Sequence, residues 1–277
     1  VVRQQLKLLH ADAVEHQQHD SACVAPAGRH DVAQTLPGSH ATPRGQLSIT
    51  APVLFGELFV TPLLVEYLNQ QPAVQIKALL VDRVVSMVDE GIDVAIRIGN
   101  LPDSGLHALK VGEVRRVICA APSFLATHGR PTHPEQLREA QVVASASSQL
   151  LSEWHFVDGD NALSVRPQPR LVVTANQAAI NAACLGWGLT RVLSYQVADK
   201  VSKGELEIVL QDFEQPPLPI HVVYQGGRKI AAKVRTFVDF CAQRLAQDPA
   251  AARRRQTPVT GHDHAVRPGQ DWRSEAE

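Results

Sequence analysis

QLSIT (46–50), TPLLVEYL (61–68), VQIKALLV (74–81), DRVVSMVDEG (82–91) and DVAIRI (93–98) follow one another closely, and their order decides the fold. The first segment alternates polar and apolar residues, the pattern of a strand with one buried face, and Ala51-Pro52 stops it. Thr61-Pro62 then supplies a cap residue and a proline at the first helical position, with Leu63, Leu64, Tyr67 and Leu68 forming a stripe that faces a core. Pro72 closes that helix, and Val74–Val81 is apolar enough for an inner strand. Asp82 is placed to cap a second helix with Val84, Val85 and Val88 on one face, and Gly91 to end it in the left-handed conformation. The run 93–98 is a third strand. Strand, helix, strand, helix, strand predicts a parallel sheet covered on both faces, with right-handed crossovers.

A second pass of the same pattern appears further along. Leu171–Thr174 is a strand, Asn176 caps a helix with Ala179, Ile180 and Ala183 on one face, Gly186 ends it, and Leu189–Leu193 is the next strand. His221–Tyr224 follows the proline-rich turn at 215–219. The last helix, from about Lys229, carries Ile230, Val234, Phe237, Val238, Cys241 and Leu245 on one stripe. Two α/β units therefore share one block, and a ligand site between them falls outside the carboxyl ends of their strands. The residues there are Thr50-Ala51-Pro52, Arg97–Asn100, Ser145–Ser148, Asn176-Gln177 and Arg191–Ser194. Hydroxyls, an amide, two guanidinium groups and helix N-termini suit a small anion, above all a carboxylate. Each also has a plainer reading: Thr50 and Asn176 as caps, Arg97 as the partner of Asp93 or Asp103, Ser147-Ser148 as a loop.

Charge and composition exclude other classes. The chain has 277 residues and a net charge of −1, is 44% hydrophobic and 20% charged, and reads as globular. Residues 44–246 balance 19 basic against 19 acidic side chains, so no autonomous duplex-DNA binder is expected there. Cys23, Cys119, Cys184 and Cys241 are widely spaced, which argues against a zinc site or disulfide framework and for a reduced, cytoplasmic protein. There is no membrane-length apolar run and no signal peptide. Residues 1–43, with five histidines, and the tail from 247, with Arg253-Arg254-Arg255, read as poorly ordered. No G-x-S-x-G elbow, H-E-x-x-H or Walker loop occurs, so neither catalytic residues nor metal or other cofactors are expected. Gly186-Trp187-Gly188 follows a helix and precedes a strand, the reverse of a dinucleotide fingerprint, and reads as a turn. Trp154, His155 and Phe156 read as strand packing.

Five segments, taken together, carry a family resemblance. TPRGQLSITAPVLFGELFVTPLLVEYL, VDRVVSMVDEGIDVAIRIGNLPDSGL, CAAPSFLATHGRPTHPEQL, GWGLTRVLSYQVADKVSKGEL and PLPIHVVYQGGRKIAAKVRTFVDF resemble, in that order, the effector-binding half of a LysR-type transcriptional regulator. The resemblance implies two doubly wound Rossmann-like α/β subdomains of the type II periplasmic-binding-protein kind. These would be lobe I at about 46–118 plus 221–246 and lobe II at about 121–217, within a domain of 44–246. Crossovers are expected near Val117–Ala120 and Leu218–Val222. Carried over by position, the effector contacts are Thr50, Pro52, Val53, Leu54, Arg97, Gly99, Ser145, Asn176 and Arg191. The partners implied are a small organic anion and further copies of the chain, as a homodimer or tetramer. Ser86 stands where the family usually has Asp, and Ala140 where it often has His.

Residues 1–43 resemble neither the winged helix-turn-helix nor the linker helix of that family. The expectation is a regulator truncated, or altered in frame, upstream of Thr42, which contacts DNA only where a helix-turn-helix is supplied. Three other readings compete with an effector-sensing domain: a solute-binding protein of a transporter, an enzyme on an α/β scaffold, and a non-functional remnant. A secreted location, turnover at a cleft residue, and an intact helix-turn-helix in another upstream reading frame would respectively favour them.

Overall fold

Leu47, Ile49 and Ala51 alternate with more exposed neighbours along β1 (Gly45–Ala51) and are buried, as the polar/apolar pattern requires. The computed structural model describes residues 42–146, 153–226 and 230–247. The readings made for the N-terminal segment, Ser147-Ser148, Cys23, Lys229 and the tail from Asp248 lie outside those residues.

β1 pairs in parallel with β2 (Val74–Leu80) and β3 (Val94–Ile98). β12 (Leu218–Gln225) joins β3 antiparallel, and β4 (Leu106–Val114) joins β12 antiparallel, giving the order β2-β1-β3-β12-β4. β2 is thus an edge strand, not an inner one; its Gln75, Lys77 and Ala78 lie toward solvent. The second sheet has the order β11-β5-β10-β6-β9, from β11 (Glu207–Val209), β5 (Arg116–Ala120), β10 (Leu189–Leu193), β6 (Val142–Ser145) and β9 (Leu171–Val173). Its β10, β6 and β9 are parallel, while β5 runs antiparallel to both neighbours. A hairpin of β7 (Trp154–Asp158) and β8 (Asn161–Val165) stands apart.

Both faces of each sheet are covered, which makes the architecture doubly wound. In the first, Val94, Ile96 and Val222 pack in one core with α1 (described below) and the C-terminal helix, while Ala95 and Val223 pack with Val85, Met87 and Ile92 on the opposite face. In the second, Val117 and Cys119 share a core with α3 (Asn176–Cys184) and α4 (Ser194–Ser202). Ile118 and Ala120 face α2 (Pro122–His128) and the hairpin. The C-terminal helix α5 (Ala232–Gln247) buries Val234, Phe237, Val238, Cys241 and Leu245, the stripe expected of it. Tyr67 is locked against α5 by a 2.7 Å hydrogen bond with the Thr236 hydroxyl.

Two local expectations are overturned. α1 begins at Val53, not at Thr61: it runs through Val53–Phe55, a π-helical turn Gly56–Val60, and Thr61–Gln70. Pro62 cannot donate to the turn behind it, and the wider π turn absorbs the defect, with both the N–H and the hydroxyl of Thr61 donating to the Gly56 carbonyl. Gly56 lets the Leu80 side chain pack close against this turn: a Cβ there would lie 2.4 Å from the leucine methyl, which would have to shift. The helix expected over 83–90 is absent. Val85 and Met87 are buried, whereas Val84 and Val88 are 78% and 72% exposed, so the valines do not share a face. Only one turn forms, closed by Gly91 N–H to Val88 O and Ile92 N–H to Met87 O with Gly91 at φ +60°. That is a Schellman closure without a helix before it, and the run of β-branched residues explains the missing helix.

Gly186 ends α3 in the same way, with φ +74° and bonds to Ala183 and Ala182. Gly188 lies so close to β6 that a Cβ would stand 2.6 Å from the Gln141 carbonyl oxygen. Gly188→Ala should therefore cost about 1–3 kcal/mol of stability, read by thermal denaturation, while Gly105→Ala, where a Cβ meets nothing within 4 Å, should leave the melting temperature unchanged.

Candidate functional site

The chain passes between the sheets twice, at Arg115, between β4 and β5, and at residues 214–217, before β12. Both passages fall a few residues before the strands expected to carry them. They are tied to each other: Arg115 Nη1 donates to both carboxylate oxygens of Glu214, at 3.0 and 2.9 Å, and Glu214 is buried. Arg115 also exchanges bonds with the start of α4, its N–H donating to Ser194 Oγ (3.2 Å) and its carbonyl accepting from Ser194 N–H (2.8 Å).

Above this junction a cavity of about 210 Å³ opens between the two sheets. Pro52, Asp82 and Ile98 line it from the first sheet's side, and Ser145, Trp154, Asn176, Arg191 and Tyr195 from the second, with Arg116 and Leu218 beside the crossovers. A wider hollow at its mouth, lined by Val53, Leu54, Glu57 and Gln177, shares Asp82 and Asn176 with it. Asp82 bridges the lobes there. Its Oδ1 accepts from the Val53 N–H at 3.0 Å, at the N-terminus of α1, and its Oδ2 accepts from Asn176 Nδ2 at 3.4 Å. A carboxylate is well placed at a helix N-terminus. Asp82 thus caps the helix before it in sequence, not the one expected after it.

Arg191 and Arg116 set the electrostatics. Arg191 Nη2 donates to the His155 carbonyl at 3.0 Å, and its guanidinium lies 5.6 and 5.5 Å from the rings of Trp154 and Phe156, in cation–π range. Its Nη1 is buried without a hydrogen-bond partner among the described residues. Arg116 Nη1 reaches Gln215 Oε1 at 3.3 Å. Among the described residues neither group has a carboxylate within 4.0 Å. Burial, and then the neighbouring Arg116 charge, push the Arg191 guanidinium below its usual range; burial alone does the same to Arg116. A guanidinium holds its proton nevertheless, so Arg116 and Arg191 bring two positive charges to a cavity whose described lining has one carboxylate, Asp82, itself held by the Val53 N–H and Asn176. Tyr195 closes the floor. Its phenol is raised above the usual range by burial, and its ring meets Phe55 edge-on at 5.3 Å and Phe59 at 5.7 Å, joining α1 to α4.

Of the residues named from sequence, the structure brings Pro52, Ser145, Asn176 and Arg191 to this cavity and Val53 and Leu54 to its mouth. It does not bring Thr50, Gly99 or Arg97 there. The Thr50 hydroxyl is buried against β2 and donates to the Leu79 carbonyl at 2.8 Å. Gly99, at φ +117°, turns the chain out of β3, with its N–H on Pro219 O at 2.9 Å. Arg97 points to the other side of the first sheet, where Nη2 donates to the Val85 carbonyl at 2.6 Å, and it pairs with neither Asp93 nor Asp103. Asp93 is taken by Lys233 (3.0 Å) and by the Ser48 N–H (2.9 Å). Asn176 is the first residue of α3, not its cap; Ala175 occupies that position. Asp82, Arg116, Trp154 and Tyr195 were missed. Trp154 does pack on its strand as expected, yet one edge also faces the cavity. The Arg115-Arg116 pair was the available signal for the second cation.

Two α/β lobes joined by two crossovers, with a cavity between them that two guanidinium groups line, define a domain of the type II periplasmic-binding-protein fold. The chain belongs to the LysR family: the model of the LysR substrate binding domain matches residues 40–246. It is similar to an HTH-type transcriptional regulator of Xanthomonas campestris pv. campestris (strain 8004), at 32% identity over 247 residues, covering 87% of this chain and 70% of that protein. It is also similar to the HTH-type transcriptional regulator DmlR of Escherichia coli (strain K12), at 30% identity, covering 74% and 67%. Among solved structures, full-length AphB, a virulence activator of Vibrio cholerae and a member of the LTTR protein family, superposes with a TM-score of 0.66 at 25% identity over 73% of this chain and 69% of AphB. The CrgA regulatory domain of Neisseria meningitidis shares the fold, with a TM-score of 0.65 at 22% identity over 73% and 100%. Residues 40–246 are the substrate-binding, effector-sensing part of a LysR-type transcriptional regulator.

Removing the carboxylate that joins the crossovers should loosen this domain. Glu214→Ala leaves the Arg115 guanidinium without its two-point partner and should lower unfolding free energy by about 1–3 kcal/mol, measured by urea denaturation.

Proposed function

We propose that the domain binds a small organic carboxylate in the interlobe cavity and converts that binding into a change of lobe orientation that regulates transcription. The observation that carries this reading is the pair Arg191 and Arg116, two guanidinium groups facing one cavity with no carboxylate within ion-pair distance among the described residues. An anion restores the missing charge, and the unpartnered Nη1 of Arg191 offers it a donor. The cavity volume, about 210 Å³, is below the range of drug-sized sites, so the effector is a small metabolite.

Binding favours the lobe arrangement in which contacts from both sides close on the ligand, and only that difference in affinity drives the change. Asp82 and Asn176 meet across the mouth and are the natural latch. The domain acts in the cytoplasm, in line with the absence of disulfides at Cys119, Cys184 and Cys241. It acts as a homodimer or tetramer, and DNA contact depends on a helix-turn-helix, which the described residues do not supply. The reading is of a binding domain and not an enzyme, as the named regulators among its relatives indicate.

A panel of small mono- and dicarboxylates tests the proposal by thermal shift and calorimetry. The effector class should add about 2.7 kcal/mol of stability at a hundredfold excess over its Kd. Arg191→Ala should weaken it about tenfold or more. Absence of stabilisation across the panel, or equal affinity in Arg191→Ala, would count against the site.

A further inference from the structure

On the face of the first sheet opposite α1 and α5, residues 84–88 and the turn after β3 enclose a second hollow of about 650 Å³, inside the usual range of small-molecule sites. Its wall is largely apolar, with Val85, Met87, Leu101, Leu106 and Val223, and the exposed side chains of Val84 and Val88 stand at its rim. One charged side chain enters it, Arg97. Among the described residues that guanidinium donates to the Val85 carbonyl, one acceptor for five N–H donors. Among the described residues no carboxylate lies within ion-pair distance of it. Glu90, the acid whose field reaches Arg97, is already held at two points by Arg83, at 2.8 and 3.1 Å. His221 stands opposite Arg97 on β12, and Lys110, opposite His221 on β4, is already paired with Glu113, so Arg97 is the charge left facing the hollow.

We propose that this hollow is a second ligand site, separate from the interlobe cavity, and that it takes a carboxylate attached to an apolar chain or ring. The carboxylate sits on the Arg97 fork, whose geometry matches two parallel hydrogen bonds. The apolar body lies over Met87, Leu101 and Val223 and removes Val84 and Val88 from water. The interlobe cavity, smaller and lined by two guanidinium groups, selects compact anions instead. The segment that walls the second hollow begins directly after Asp82, the residue that joins α1 to Asn176. Occupants of the two sites therefore act on the same stretch of chain, and any coupling between them is reciprocal.

Octanoate is the probe, titrated by calorimetry into the full chain and into three variants, with melting curves confirming that each is folded. Binding should weaken by about tenfold or more in Arg97→Met and in Val88→Asp, and should persist in Arg191→Ala. Val88 is exposed, so its variant reports on the site even where loss of Arg97 disturbs the fold. Octanoate affinity unchanged in Arg97→Met and Val88→Asp overturns the proposal, as does its loss in Arg191→Ala alone or its failure to bind the wild-type chain. Compact carboxylates read through Arg191 test the interlobe cavity separately, so the two sites stand or fall independently.

Discussion

Two passages of chain connect the lobes, and the Arg115–Glu214 ion pair fastens one passage to the other. Each sheet completes itself with a strand that arrives from the other lobe, β5 in one direction and β12 in the return direction. Without a junction between the crossovers, the cavity walls would have no fixed relation. One guanidinium nitrogen gripping both oxygens of a buried carboxylate helps to set that relation. The pair lies beside the cavity and not within it, and the cavity-lining Arg116 and Arg191 have no carboxylate within ion-pair distance among the described residues. Arg115 and Arg116 are adjacent in sequence and differ in surroundings: one is ion-paired with Glu214 at the crossovers, the other lines the cavity with the Gln215 amide oxygen as its acceptor.

The strands were readable as short apolar runs bounded by turn residues, with a polar/apolar alternation only at the start of β1: β3, β10 and β12 lie where such runs put them. The last helix was readable for the corresponding reason, a clean apolar stripe. The segment 83–90 was not, because three valines at helical spacing look the same whether they line a core or flank a hollow. Only packing decides, and here Val85 goes in while Val84 and Val88 stay out. The start of α1 was hidden by Thr61-Pro62, a pair that resembles a helix opening and instead marks a change of winding within one.

Site residues divide along the same line. Strand ends were located correctly, so Pro52, Ser145, Asn176 and Arg191 meet at one cavity. What sequence position cannot convey is the face on which a side chain emerges. Arg97 sits near the right strand end yet projects to the wrong side of the sheet for the interlobe cavity, whereas Ile98, its neighbour, lines it. Arg116, by contrast, sat on a crossover strand where no helix terminus or motif drew attention to it.

The π turn in α1 has a consequence for how the helix divides its labour. Leu54 and Phe55 are buried before the π turn, Gly56 and Val60 at its two ends, and Leu64 and Tyr67 after it; from Phe55 to Val60 the step is five residues, and it falls on that turn. A wider turn advances the helix by one residue without completing the usual rotation, so the two halves are angularly offset, like two gears keyed differently on one shaft. The first half aims Val53, Leu54 and Phe55 at the interlobe cleft and Tyr195; the second aims Leu64 and Tyr67 at α5. One helix thereby answers to two different neighbours, Tyr195 at its cleft end and Thr236 and Phe237 of α5 further along.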